Sequence, residues 1–202
     1  MTQSIKPPSL REQQKANTRA ELTRKGMELF LKQGFESTTI EQIVEPLGIA
    51  KRTFFRYFKT KEDVVFGFYE DKTPLLVEYL QNRPAQEDAY TAVCQTLAMH
   101  LELYDANPQQ AWALVRLIQE NPALAAKGFE KRSEREERFA DALLQRSDAA
   151  DASPIKARVI VGIAMLAWEQ ALKEWHRLGG KQDLRPIVER AFEMATPNEK
   201  AL

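Results

Sequence analysis

Residues 37–58 read STTIEQIVEPLGIAKRTFFRYF. Thr39 and Gln42 stand three apart, the spacing of a capping box, in which side chain and backbone satisfy each other's free donors. A helix is therefore expected to start at Thr39 and to end before Gly48. A second short helix is expected over 51–57. The connection Leu47-Gly48-Ile49-Ala50 carries a glycine that can take the left-handed conformation a sharp turn needs. Ile43, Leu47 and Ile49 are spaced to pack the elbow. This is the layout of a helix-turn-helix, a motif whose second helix enters the major groove of a duplex.

The second helix has an informative wheel. Phe54 and Phe58 lie one turn apart and are suited to anchor it on a preceding helix through Leu29 and Phe30. Arg52 and Arg56 point to the other side. Lys51 sits in the first turn, where a long cationic side chain can reach base edges and donate to guanine O6 and N7. Thr53 and Tyr57 flank this face and suit phosphate contacts, and Lys59 and Lys61 follow. Thr38 and Thr39, at the start of the first short helix, offer backbone amides to another phosphate.

Outward from this stretch the chain reads as helices. A helix over 18–33 places Leu22, Gly26, Leu29 and Phe30 at helical spacing, with Gly34 at the C-terminal cap. A fourth begins at Thr60, with Glu62 and Asp63 at its positive end. Pro74 falls inside it, so that it either bends there or ends at Lys72. Further helices are expected over 88–105, 108–120, 122–145, 154–178 and 184–194. Asn107, Asn121 and Ser153 each precede a proline, a cap followed by Pro at the first helical position. The expected fold class is all-α, with about nine helices. Residues 1–16 form a flexible arm, 17–60 a three-helix head, and 61–202 a larger helical ligand-binding and dimerisation domain. The tail after Thr196 is expected to be loose.

Composition excludes several classes. With 44% hydrophobic and 29% charged residues in 202, the chain is not a disordered one. Cys94 is the single cysteine, so no intrachain disulfide framework exists and a reducing, cytoplasmic compartment is expected. The longest strongly apolar run, 159–168, is ten residues, against the roughly 20 that cross a bilayer. Residues 1–15 are polar, so no signal peptide and no membrane partner are expected. Net charge is zero, but residues 1–65 carry 12 basic against 8 acidic groups and the remainder 17 against 21. A basic amino-terminal third suits a polyanionic partner. Enzyme chemistry lacks its parts. His100 and His176 have no metal-ligand partner at fixed spacing, and no phosphate-cradling loop or GxSxG elbow is present. Cys94 reads as a small core residue.

The body offers large apolar groups, for which core packing is the commoner role and a ligand cavity the alternative. Phe66, Tyr69, Met99, Leu103, Trp112, Phe129 and Trp168 are the candidates for an apolar pocket, with His100 and Glu102 placed to orient a polar group. The segment 154–178 is apolar on several faces and rich in small residues, and a helix apolar all round wants partners on more than one side. Val159, Ile163 and Leu166, with Ile187 and Phe192 from 184–194, are the candidate subunit interface; the alternative is a central helix within one chain. The run EKRSEREER, 130–138, reads as a solvated face.

From Arg19 to Val64 the sequence resembles the DNA-binding domain of the tetracycline-repressor (TetR) family. The matching features are GMELFLKQG (26–34), the Thr38-Thr39 pair, the Gly48-Ile49 turn, and TFFRYFKTKED (53–63). The resemblance implies a homodimer on a near-palindromic double-stranded DNA operator, released by a small hydrophobic effector, with no cofactor. It places Lys51, Arg52 and Phe55 towards bases, and Thr38, Thr39, Thr53, Tyr57 and Lys61 towards the backbone. Four departures stand out. Phe55 replaces a usual Tyr, Ala50 a usual Ser cap, and Gly26 a usual Ala, while Pro46 falls in the last turn before Gly48. TFFRYFKTKEDVV and ENPALAAKGFEKR resemble, more distantly, regulators of the mycofactocin-locus type, which would imply an acyl-CoA effector. An unspecified hydrophobic metabolite, or no small molecule, are the alternatives. A small all-helical enzyme on an apolar substrate and a helix-turn-helix used for protein contact are the competing functions.

Overall fold

The computed structural model describes residues 9–146 and 153–196, apart from the side chains of Phe68 and Leu103. Among the described residues there are ten α-helices and no strand. The chain divides into two compact units, Met1–Tyr69 and Glu70–Leu202.

The first helix, α1 (Leu10–Gln33), begins eight residues before the expected start. Ser9 and Glu12 form a full capping box, with the Ser9 amide donating to Glu12 Oε2 at 2.8 Å. Residues 10–16 are therefore helix and not arm. They bury no apolar stripe, so periodicity could not reveal them; the cap and a run of good helix formers hold them. The remainder of the expected arm, and the tail beyond Thr196, lie outside the described residues.

The second helix, α2 (Ile40–Val44), carries the expected capping box, Thr39 N to Gln42 Oε1 at 2.9 Å and Gln42 N to Thr39 Oγ1 at 3.3 Å. Pro46 turns its end into a 3₁₀ segment, Glu45–Leu47, in which the missing N–H is not needed. Gly48 follows in the left-handed conformation, φ 64°. The third helix, α3 (Lys51–Phe54), is only four residues long. The coil continues through tighter turns, Arg56 N to Thr53 O and Tyr57 N to Phe54 O, which is why the 3.6 spacing of Phe54 and Phe58 suggested a longer helix. Thr60 and Asp63 cap each other reciprocally ahead of α4 (Glu62–Gln81). This helix does not end at Lys72; it runs through Pro74, where burial of Thr73, Leu76 and Leu80 outweighs the lost donor.

The core of the first unit is Leu22, Phe30, Phe35, Ile43, Phe54, Phe58, Val64 and Val65, all buried. Gly26 explains how α1 approaches α4. A Cβ there would sit 2.6 Å from Val64 Cγ1, a stiff β-branched neighbour, so the glycine's helix penalty is the condition for this packing.

In the second unit the expected helix over 88–105 is two, α5 (Ala89–Ala98) and α6 (Leu101–Ala106), separated where His100 N bonds Leu97 O. Then come α7 (Pro108–Glu120), α8 (Pro122–Arg146), α9 (Pro154–Arg177) and α10 (Leu184–Met194). Asn107 and Ser153 cap their prolines as expected. The central element is α9, packed against α5, α7, α8 and α10. Tyr90 fastens α5 to α10 by donating to Phe192 O at 2.8 Å. Trp112 packs closely on Gly180, where a Cβ would fall 1.9 Å from its ring. Cys94 is buried, its thiol pushed up to about 12 by desolvation.

His100 is buried beside the Trp168 ring at 5.8 Å, and its pKa is lowered to about 4, chiefly by burial and then by Arg135. The folded protein therefore favours neutral imidazole. Between pH 6.5 and about 4 the unfolded chain binds a proton that the folded one does not. The expected outcome is a loss of roughly 3 kcal/mol of stability as pH falls through that window. Urea melts of wild type and His100→Gln check it: the variant should lose that part of the pH slope, and an unchanged slope would refute the assignment.

Candidate nucleic-acid interface

The first unit presents one side of α3 outward because the other side is committed to the core. Phe54 and Phe58 are fully buried, with ring centroids 5.6 Å apart. Arg19 of α1 adds a polar fastening: its guanidinium donates to Tyr57 O at 2.8 Å and covers the Phe58 ring at 4.4 Å. Gly67 leaves room beside Phe58, where a Cβ would meet ring carbon at 3.0 Å.

Lys51, Arg52, Phe55 and Arg56 are then exposed, and Thr53 and Tyr57 half-buried. Phe55 is 49% exposed, edge-on to Phe54 at 5.5 Å. Its neighbours on this face are two arginines and a lysine, an arrangement suited to apolar contact with base edges amid cations. Thr39 is exposed, but its hydroxyl is engaged as the α2 cap.

Two residues expected to face the DNA backbone turn inward instead. Thr38 is buried, its hydroxyl donating to Gly34 O at 2.8 Å and its amide to Phe35 O. Lys61 donates its ammonium to Phe35 O at 2.7 Å and to Thr38 O at 3.0 Å, and rests on the Phe35 ring at 4.2 Å. The reason is common to both. The connection 34–39 has carbonyls with no helical partner, and these two side chains satisfy them. The amides of Thr38 and Thr39 are likewise occupied, by Phe35 O and Gln42 Oε1.

Sequence reasoning passed over Glu41. Its carboxylate takes a hydrogen bond from Lys51 Nζ at 2.5 Å, which ties α2 to the first residue of α3. The pair sits ten residues apart across a turn, so no helical i,i+4 spacing signals it.

The body residues scatter. Phe66 is buried and Tyr69 half-buried in the first unit. Met99, Trp112 and Trp168 are half-buried in the second, and the Leu103 side chain lies outside the described ones. Phe129 is 64% exposed with Arg132 over its ring, so it lines no interior; on the highly charged α8 it falls on the solvated side. Trp168 belongs to an aromatic cluster with His100, Tyr104 and Phe192, at centroid distances of 5.8, 6.0 and 6.5 Å, and Trp175 stands 6.2 Å from Tyr104. Phe192, expected at a subunit interface, is buried within its own chain in this cluster. Val159 and Leu166 are exposed on α9, and Ile163 and Ile187 half-exposed beside them.

A short helix pinned by aromatics, with cations on its free side and a second helix across a glycine turn, defines a helix-turn-helix DNA-binding protein. The family model described as bacterial regulatory proteins, tetR family, matches residues 22–67. The HTH-type transcriptional regulator TcmR of Streptomyces glaucescens is 31% identical over 194 residues, covering 93% of this chain and 85% of that protein. The putative mycofactocin biosynthesis transcriptional regulator MftR of Mycobacterium tuberculosis is 25% identical over 151 residues, 73% of this chain and 76% of that one. Among solved structures, a putative TetR-family regulator from Syntrophomonas wolfei matches with TM-score 0.61 at 16% identity, over 90% of this chain and 94% of that one. FadR of Bacillus subtilis in complex with stearoyl-CoA matches with TM-score 0.56 at 17% identity, over 87% and 96%. The chain belongs to the TetR family of DNA-binding transcriptional regulators. Among the described residues no helix is long and apolar enough to cross a membrane.

Lys61→Met removes two charge-assisted hydrogen bonds, each worth roughly 1.5–3 kcal/mol. Half-exposure reduces this, and a loss of about 2 kcal/mol in denaturant melts is the expected outcome. An unchanged midpoint would show that the ammonium is free for other partners.

Proposed function

We propose that the protein is a homodimeric repressor whose two heads enter successive major grooves of a near-palindromic operator, and which a small, largely apolar molecule releases. The observation that carries the DNA-reading part is the two-sidedness of α3, with Phe54 and Phe58 buried and Lys51, Arg52, Phe55 and Arg56 exposed. In this reading Lys51, Arg52 and Phe55 meet base edges. Thr53, Arg56 and Tyr57 meet the phosphate backbone. The twofold axis sets the heads about 34–36 Å apart, one turn of duplex. The effector acts by binding better to a state whose head spacing mismatches that distance, and it shifts the equilibrium only by that difference in affinity. The half-buried Trp168, with the aromatic cluster it belongs to, supports an apolar effector. An acyl-CoA is the class to which the mycofactocin-type resemblance points.

The dimer reading is supported by a stripe on α9. Ile155, Val159, Ile163 and Leu166 recur at helical spacing on its outer face, and Leu166 is 50% exposed. Beside it an open groove of about 750 Å³ runs between α9 and α10, lined by Ile163, Leu166, Ile187 and Met194. A contiguous apolar patch of this kind usually marks an interface.

Selection of bound sequences from random DNA tests the reading. Arg52→Ala is expected to relax discrimination by about 1–3 kcal/mol at one base pair per half-site, with little change in fold stability. Equal binding of a selected operator by variant and wild type overturns the groove assignment. Leu166→Glu is expected to move the protein from dimer to monomer in sedimentation, with helicity unchanged; a persisting dimer would place the interface elsewhere.

A further inference from the structure

Glu41 is an acid on the face that the proposed reading turns towards DNA, and the inference below rests on that reading. It stands at the second position of α2, with its side chain 49% exposed, and holds Lys51, 53% exposed, at 2.5 Å. The carboxyl is held below the usual carboxylate range, first by the Lys51 hydrogen bond, then by its own backbone amide. The fold does not need this pair. Exposed ion pairs add little stability, and the α2–α3 elbow is already packed through Ile43 and Phe54. A carboxylate so placed repels phosphates but can accept from a base-edge donor in the groove.

The ammonium keeps two donors after bonding Glu41, and the carboxylate, also met by its own amide and by Thr39, keeps about one of its four acceptor sites. Together they present donors beside an acceptor. Across the major groove a G·C pair offers guanine N7 and O6 as acceptors and then cytosine N4 as a donor. A T·A pair matches only the last two and sets a methyl group where the ammonium would lie.

We propose that Glu41 is a specificity-determining residue that, joined to Lys51, reads one G·C pair in each half-site. Lys51 donates to guanine O6 and N7, Glu41 accepts from cytosine N4, and the negative charge weakens binding to unmatched DNA.

The test compares wild type, Glu41→Gln, Glu41→Ala, Lys51→Met and Arg52→Ala by selection from random duplex DNA. Affinities for the selected operator and for G·C-to-T·A replacements are then measured across a salt series. Wild type is expected to require G·C at one position per half-site. Both Glu41 variants should lose roughly tenfold discrimination at that position alone. They should also bind random duplex more tightly, and their salt slope should steepen by about one per head as Lys51 turns to a phosphate. Lys51→Met should lose the same base pair, and combining it with Glu41→Gln should lose no more there. If Arg52→Ala relaxes selection while both Glu41 variants keep wild-type preferences and salt slope, this inference fails and the DNA reading stands. If wild type selects no sequence at any salt, both fail.

Discussion

The surface proposed to meet DNA depends on how a four-residue helix is held. An isolated helix of that length is far below what hydrogen bonding alone sustains in water, so α3 exists only as part of a packed unit. Phe54 and Phe58 supply the packing, and the Arg19 guanidinium closes it by taking the Tyr57 carbonyl and covering the Phe58 ring. Once these two aromatics are buried, the helical spacing leaves Lys51, Arg52, Phe55 and Arg56 nowhere to go but outward. The same geometry thus provides stability on one side and an exposed, largely cationic surface on the other.

Charge in the head is used in two different ways. Lys61 and Arg19 hold the fold, each spending its donors on backbone carbonyls that no helix satisfies. Lys51 and Glu41 hold each other at the surface, where their pairing matters little for stability and leaves their remaining donors and acceptors to a partner. Residue type does not distinguish these roles; the surroundings of each ammonium or guanidinium do. In the body, α9 is both the central helix and the bearer of an exposed apolar stripe, because its small residues let four neighbours approach while Val159 and Leu166 remain uncovered.

Much of the fold was legible in the sequence where local rules dominate. The α2 capping box, the left-handed Gly48, and the Asn-Pro and Ser-Pro starts of α7 and α9 are one-residue or four-residue signals with a direct mechanism, and the structure has them in place. Legibility failed where the determinant was not periodic. The first turns of α1 bury nothing, so only their cap marked them. Pro74 was an obstacle locally and was overridden by burial around it. Phe129 and Phe192 look alike as large apolar residues on amphipathic helices, yet one is exposed and the other stacks on Trp168.

By itself, the sequence determined the helices, the turn and the two faces of α3, because these follow from caps, glycine conformation and a 3.6-residue period acting within a few positions. Only the tertiary structure decided that Thr38 and Lys61 face inward, that Glu41 is tied to Lys51, and that Phe192 belongs to the core. Those outcomes depend on which unpaired carbonyl or ring lies within about 3–4 Å in space, and distance along the chain carries no record of that.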